Sequence, residues 1–302
     1  MGLPAVLGVN FHLTPGYTVI GLVLGGVYAL AAVGLVLIYR VSGVLNFAQG
    51  AVAMFSTFCA YQVSVLWGLP SWAGLLAAVA VGMGLGWAIE RTLRPLAGRP
   101  VLVRTVVTVG WLLVLQELAG FLWGRNAYHQ AVRVVPLSKA FTAPGGTPVA
   151  TDQILTIVVA VALALGLAAV LRRTSLGADA RAVADDPTAA RLWGINVGRV
   201  TSASWMVGCG MAAVAGVLLT PRLNFDTISL TVLVIEGLIA AVIGGLSSLP
   251  LTVVGGFILG VAEAWPRAFA PTNPGLEKFV AVLVVVAVLS IRPPKVLGAR
   301  AA

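Results

Sequence analysis

Few segments of this chain carry residues able to do chemistry. The run Asp186-Pro-Thr-Ala-Ala-Arg191-Leu192-Trp193-Gly194 places a helix-capping carboxylate before a proline suited to the first helical position and ends on a glycine suited to the stop. It spells a helix of about two turns, too short to be stable alone in water, yet Leu192 and Trp193 stand at its end. Something must cover them. Two covers fit: the headgroup layer, with Trp193 at the interface and the nearby Arg residues on anionic lipid, or a soluble partner that grips the helix as a docking knob. Asn46 and Gln49 stand at i and i+3 on one helix face, flanked by Gly43 and Gly50. Amides in such an apolar setting either bond to a neighbouring helix or line the path of a polar solute at a helix discontinuity. Glu117 and Glu236 lie in apolar stretches, where a central charge costs roughly 2.5–3.5 kcal/mol on the mildest scale. Each is a vestibule carboxylate paired with a loop Arg, or, for Glu236, a pathway group that attracts an ammonium.

Other chemistries are excluded by what is missing. The sequence has no Gly-x-x-x-x-Gly-Lys-[Ser/Thr] loop and not even a Gly-Lys pair, so it offers no phosphate cradle of that kind. Cys59 and Cys209 both sit in apolar segments and read as small packing residues, and the two His, His12 and His129, are far apart. No metal-ligand spacing follows from these. Nor do a nucleophile, base and orienting group come together at any familiar spacing, which disfavours a membrane enzyme.

The elements that must position these residues are membrane helices. Of 302 residues 59% are hydrophobic and 10% charged, against roughly 45–50% and ~25% in soluble domains, and the mean hydropathy is +1.01. Apolar runs long enough to cross ~30 Å of hydrocarbon fall near 17–39, 45–66, 71–89, 102–123, 152–171, 201–220, 231–247, 250–265 and 277–291. The Gly244-Gly-Leu-Ser-Ser-Leu-Pro250 junction also allows eight spans with one broken or re-entrant pair. The expected fold is an all-α polytopic membrane protein, with residues 1–302 as one transmembrane domain. Alternating the spans puts Arg40, Arg91, Arg94, Arg99, Arg104, Arg172, Arg173, Arg181, Arg191, Arg199, Arg292, Lys295 and Arg300 on one side. Arg125, Arg133, Lys139, Arg222, Arg267 and Lys278 fall on the other. The positive-inside rule makes the richer side cytoplasmic, with the N-terminus outside and the C-terminus inside. The +9 charge is thereby explained by loops at a membrane, with no need for nucleic acid. The first sixteen residues lack Lys and Arg, so the basic region of a cleavable signal is missing and the first span is expected to remain as an anchor. Residues 124–151, rich in Pro and Gly, read as an irregular extracytoplasmic cap; residues 172–200 form the cytoplasmic loop that carries Asp186 to Gly194. Gly21/Gly25, Gly82/Gly86 and Gly256/Gly260 have the small-xxx-small spacing of close helix packing. No internal repeat is evident.

Several motifs also carry a family resemblance. Arg181-Ala-Val-Ala-Asp-Asp-Pro-Thr-Ala-Ala-Arg-Leu-Trp-Gly-Ile-Asn196 resembles the coupling loop of the permeases of branched-chain amino acid ABC importers. Gly21 to Tyr39 is similar to that family's first helix, and Leu45-Asn-Phe-Ala-Gln-Gly50 resembles its Asn-Phe-Ala-His-Gly motif, which points to the LivH-type permease. Ala240 to Pro250, followed by Gly255, Gly256 and Gly260, resembles its late Gly-rich helix pair, and Ile291-Arg-Pro-Pro294 its ending. Gln49 stands where His is common, and Arg40 where Gly is common. Both departures bear on the solute rather than the class.

The resemblance implies a type II ABC importer-like permease, in which two permease subunits form the pathway, the second LivM-type or another copy of this chain. It further implies two ATPase subunits docked beneath, which use ATP and Mg while this chain binds no cofactor, and an extracytoplasmic solute-binding protein. In that arrangement Asp186, Pro187, Arg191, Leu192, Trp193 and Gly194 couple to the ATPase, and Asn46, Gln49 and Glu236 border the pathway. Related permeases serve urea, amides or other small polar solutes. An ion-coupled secondary transporter, with Glu117 and Glu236 binding the ion, is the rival of another class.

Overall fold

The computed structural model describes residues 14–124, 129, 131–134, 139–142, 148–221, 226–246, 248–269 and 275–291. Helix α1 (Thr14–Ser42) is followed by an irregular stretch over 44–46 and by α2 (Gln49–Tyr61), which continues as a π-helical turn over Gln62–Leu66. Then come α3 (Ser71–Leu93) and α4 (Val101–Trp123). A two-stranded antiparallel hairpin, β1 (Lys139–Thr142) and β2 (Pro148–Ala150), leads into α5 (Thr151–Arg173), α6 (Ser175–Asp185) and α7 (Pro187–Leu192). The chain ends with α8 (Val197–Leu219), α9 (Thr227–Thr231), α10 (Leu233–Ile243), α11 (Leu249–Phe269) and α12 (Leu276–Ile291). Local chemistry sets the breaks: Pro70 and Pro100 take extended backbone just before α3 and α4, and Gly43 and Gly124 close α1 and α4 at positive φ.

Among the described residues, six helices are long and apolar enough to cross a membrane: 16–42, 71–96, 101–123, 151–173, 197–219 and 249–267. All nine expected runs are helical, but three are shorter than spans. The run expected at 45–66 begins as a helix only at Gln49; that at 231–247 becomes 227–243 with a break at Val232; that at 277–291 has 16 residues. The cap expected to be irregular over 124–151 contains the hairpin, and Val132 is buried against Ala60, Ala78, Ala213 and Val217.

The core is built on α1 and α8, both 83% buried over their most apolar window. They run antiparallel: Leu37 and Val41 lie with Val197 and Val200, while Leu24 lies with Leu218 and Leu219. They cross at Gly34 and Gly208, where a Cβ on Gly34 would sit 2.4 Å from Gly208 O and one on Gly208 2.6 Å from Gly34 O. Only hydrogen fits at either position. Close backbone approach of this kind is the main source of helix association where lipid supplies no hydrophobic drive.

Around this crossing the two halves repeat with inverted direction. Short α2 and long α3 pack on α8 as short α10 and long α11 pack on α1. Gly82 and Gly86 of α3 meet α8 at Cys209 and Trp205, and Gly256 and Gly260 of α11 meet α1 at Ala29, Gly25 and Gly21. Gly34/Gly208, Gly82/Gly256 and Gly86/Gly260 are each separated by 174 positions. The expectation of no internal repeat is thus corrected: the repeat lies in helix order and a few glycines, not in a run of matched sequence.

Candidate functional site

Three groups of polar residues sit in this frame. The first lies at the α7 end of the bundle. Asp186 Oδ1 accepts from the backbone N–H of Thr188 (2.7 Å) and Ala189 (3.1 Å), and Pro187 takes the first helical position. Gly194, at φ +80°, ends the helix: its N–H donates to Arg191 O (3.0 Å) and that of Ile195 to Ala190 O (3.0 Å). These are the two bonds of a Schellman stop, so both ends of a six-residue helix are tied. Ala190 is buried with Leu37 and Val41 of α1 and Ala180 and Val183 of α6, which fixes α7 to the end of a core helix. Leu192 and Trp193 are each 86% exposed. Nothing in the described chain covers them.

Helix α6 was not legible in the sequence, where 172–200 reads as a loop with one short helix. Thr174 caps it by accepting from Gly177 N–H at 3.2 Å, and Gly177 is pressed on Leu171, so α5 turns directly into α6. The buried spacing Gly177, Ala180, Val183 was its only signal.

The second group is at the crossing. Residues 43–48 carry non-helical backbone to the depth of Gly208, which hydrocarbon tolerates only where protein satisfies the freed groups. Asn46 and Gln49, each 1% exposed, do this. Asn46 Oδ1 accepts from Ala48 N–H (3.1 Å) and its Nδ2 donates to Gln49 Oε1 (2.9 Å), while Gln49 Nε2 donates to Gly208 O (3.0 Å). Of the two readings open for these amides, the geometry matches bonding to a neighbouring helix. Thr108 of α4, missed in the sequence, accepts from Phe47 N–H (3.1 Å) and donates to Leu45 O (3.2 Å).

The third group lies at the opposite end from α7, about 20 Å along α1 at 1.5 Å per residue. A chamber of 550 Å³ is bordered by α1, α9, α10, α11 and α12 and by the ends of α5 and α8, and Glu236 lines it. Glu236 is 5% exposed and Glu263 1%. Lys278 of α12 donates to Glu236 and, at 3.1 Å, to Glu263, and the Tyr28 hydroxyl donates to Glu263 at 2.8 Å. Arg267 pairs with Glu277 nearby. Glu263, Tyr28 and Lys278 were not singled out in the sequence; a Glu inside an apolar run was the available signal for the first. Glu117 lies on the exposed face of α4, away from this chamber.

The repeat gives the chamber a counterpart at the α7 end. Glu90 of α3 bonds Ser202 of α8 (2.7 Å) and Arg94 (2.8 Å). Ser202 and Tyr28 are again 174 positions apart.

Residues 17–289 match the sequence profile of the family described as "Branched-chain amino acid transport system / permease component". The chain belongs to that permease family. It is 31% identical to the high-affinity branched-chain amino acid transport system permease protein LivH of Salmonella typhimurium, over 92% of this chain and 93% of the relative. It is equally similar, at 31%, to the permease protein BraD of Pseudomonas aeruginosa over 92% and 94%. The fructose import permease protein FrcC of Rhizobium meliloti shares 28% identity over 81% and 69%. As a member of the permease family with six long apolar helices, the chain is a multi-pass membrane protein. Ile291 to Pro294, one of the matched motifs, lies almost wholly outside the described residues, as do Arg222, Lys295 and Arg300.

Proposed function

We propose that this chain is the pathway-forming permease of an ABC importer of branched-chain amino acids in a bacterial inner membrane. Its family and its LivH and BraD relatives support the solute, leucine, isoleucine or valine. The observation that carries the mechanism is α7: a helix of six residues, tied at both ends, rooted on α1 through Ala190, with Leu192 and Trp193 presented to the outside. Rigid aromatic anchors of this kind dominate interface energies. Two ATPase subunits dock beneath the two permease subunits, one of them gripping α7 of this chain, and supply the ATP and Mg chemistry. A force on α7 passes to α1 and, through the Gly34/Gly208 crossing, to α8. The pathway is completed by a second permease subunit, LivM-type or a copy of this chain, and is fed by an extracytoplasmic binding protein.

The α7 end is cytoplasmic in this reading, which leaves the N-terminus outside and the C-terminus inside. Arg40, Arg94, Arg104, Arg172, Arg181 and Arg191 line cavities at that end, as the positive-inside rule requires. Glu236 borders the pathway on the outer side, and Asn46 and Gln49 hold its backbone wall from behind. Trp193→Ala is expected to weaken association with the ATPase, read by co-purification, while leaving membrane insertion intact. Co-purification equal to wild type would remove α7 as the coupling element.

A further inference from the structure

The described residues that line the outer chamber carry more negative than positive charge. Glu236 and Glu263, both over nine-tenths buried, share the single ammonium of Lys278, while Arg267 and Glu277 neutralise each other. Among the described residues lining the chamber, three carboxylates face two cations. Tyr28 spends its hydroxyl on Glu263, and Glu236 Oε1 accepts from Lys278. Glu236 Oε2 is buried with no donor within hydrogen-bond distance among the described residues. A buried carboxylate oxygen without a donor is costly, and a cationic donor relieves both that cost and the excess negative charge, as a proton shared by the two carboxyls also would. The remaining wall is largely apolar: Ile20, Leu24, Leu219, Ile228, Val232 and Leu233. At 550 Å³ the chamber lies within the roughly 300–1,000 Å³ range of small-molecule sites. The counterpart around Glu90 differs in the decisive respect, because there one carboxylate meets Arg94 and Ser202 and its partners close the set.

We propose that this chamber is a binding site for a solute with one primary ammonium group and a branched apolar body, the ammonium pairing with the carboxylate of Glu236. The physiological solute, an aliphatic amino acid, rests on the importer reading; the recognition chemistry does not. The site would hold the solute briefly between its release from a binding protein and its passage inward.

The test uses the assembled importer in nanodiscs without binding protein, probed by saturation-transfer NMR and competition titration. Three probes separate the chemistry: leucine, 3-methylbutylamine, which lacks the carboxylate, and 4-methylpentanoate, which lacks the amine. Leucine and the amine are expected to bind and the acid not to. Glu236→Gln should weaken the amine about tenfold or more. Ser229→Phe, which fills the chamber wall and leaves Glu236 in place, should do the same and serves if the first variant fails to assemble. Binding of the acid as strongly as the amine overturns the proposal, as does amine binding indifferent to both substitutions. So does the absence of amine binding from mildly acidic to mildly alkaline pH, which would leave a shared proton as the missing charge. Amine binding without leucine-stimulated ATP hydrolysis would sink the solute assignment and spare the chamber; leucine import with amine binding indifferent to Glu236 would do the reverse.

Discussion

Replacing Asp186 by Ala removes one acceptor that serves two backbone donors, Thr188 N–H at 2.7 Å and Ala189 N–H at 3.1 Å. Loss of an N-cap costs about 0.5–2 kcal/mol. In a long helix that is a local defect, but α7 has six residues, and it is rooted by a single buried side chain, Ala190. Taking the formed and frayed states of so short a helix as evenly populated without a partner sets the scale of the effect. A loss of about 1.4 kcal/mol then turns an even ratio into about 1:10, and affinity for a partner that grips only the formed helix falls roughly fivefold. Asp186→Asn keeps a side-chain acceptor of similar capping strength and should recover most of the affinity. The assay is a binding titration of the ATPase subunit on nanodisc-embedded permease, with thermal unfolding of the permease as a control that should not move, since Asp186 is exposed. Equal binding by the Ala, Asn and wild-type proteins would refute the link between cap and coupling. An equal loss in both variants would assign the effect to charge instead.

Three further outcomes follow from the geometry. Gly34→Val should prevent recovery of monodisperse protein by fluorescence-detected chromatography, because its Cβ would lie 2.4 Å from Gly208 O, whereas Gly84→Ala, which meets nothing within 4 Å, should not; a normal Gly34→Val profile would contradict the crossing. Tyr28→Phe leaves buried Glu263 without one of its two donors and should cost about 1–3 kcal/mol, lowering the thermal midpoint by several degrees; an unchanged midpoint would mean the bond does not contribute. Leu192→Cys should react with an impermeant maleimide from the cytoplasmic face alone, and bound ATPase should protect it; labelling from the exterior would invert the orientation.

The sequence exposed the helices and the capped α7 because both are written locally. Apolar run length marks the helices of the nine expected runs, though not α6, and Asp186, Pro187 and Gly194 each have a backbone reason to stand where they do. Length does not reveal where in the membrane a helix starts. The run from 45 to 66 is apolar enough to be read as a span, yet Gly43 turns the chain and Asn46 and Thr108 bond an irregular stretch before α2 begins level with Gly208. That decision depends on α4 and α8, elements far away in sequence. The carboxylate chamber was hidden for the same reason: Tyr28 and Glu263 are 235 positions apart, and only the packing of α11 along α1 joins them. The inverted repeat escaped notice because close helix contact requires small residues at a few points and leaves lipid-facing positions free to diverge.

Transport itself is the most direct test. The purified permease would be reconstituted with its ATPase and second permease subunits in proteoliposomes, the binding protein placed on the side opposite α7, and labelled leucine followed. The account predicts accumulation that requires ATP on the α7 side, persists when ion gradients are collapsed, and stops with Trp193→Ala. Uptake that continues without ATP and vanishes with an ion gradient would contradict it.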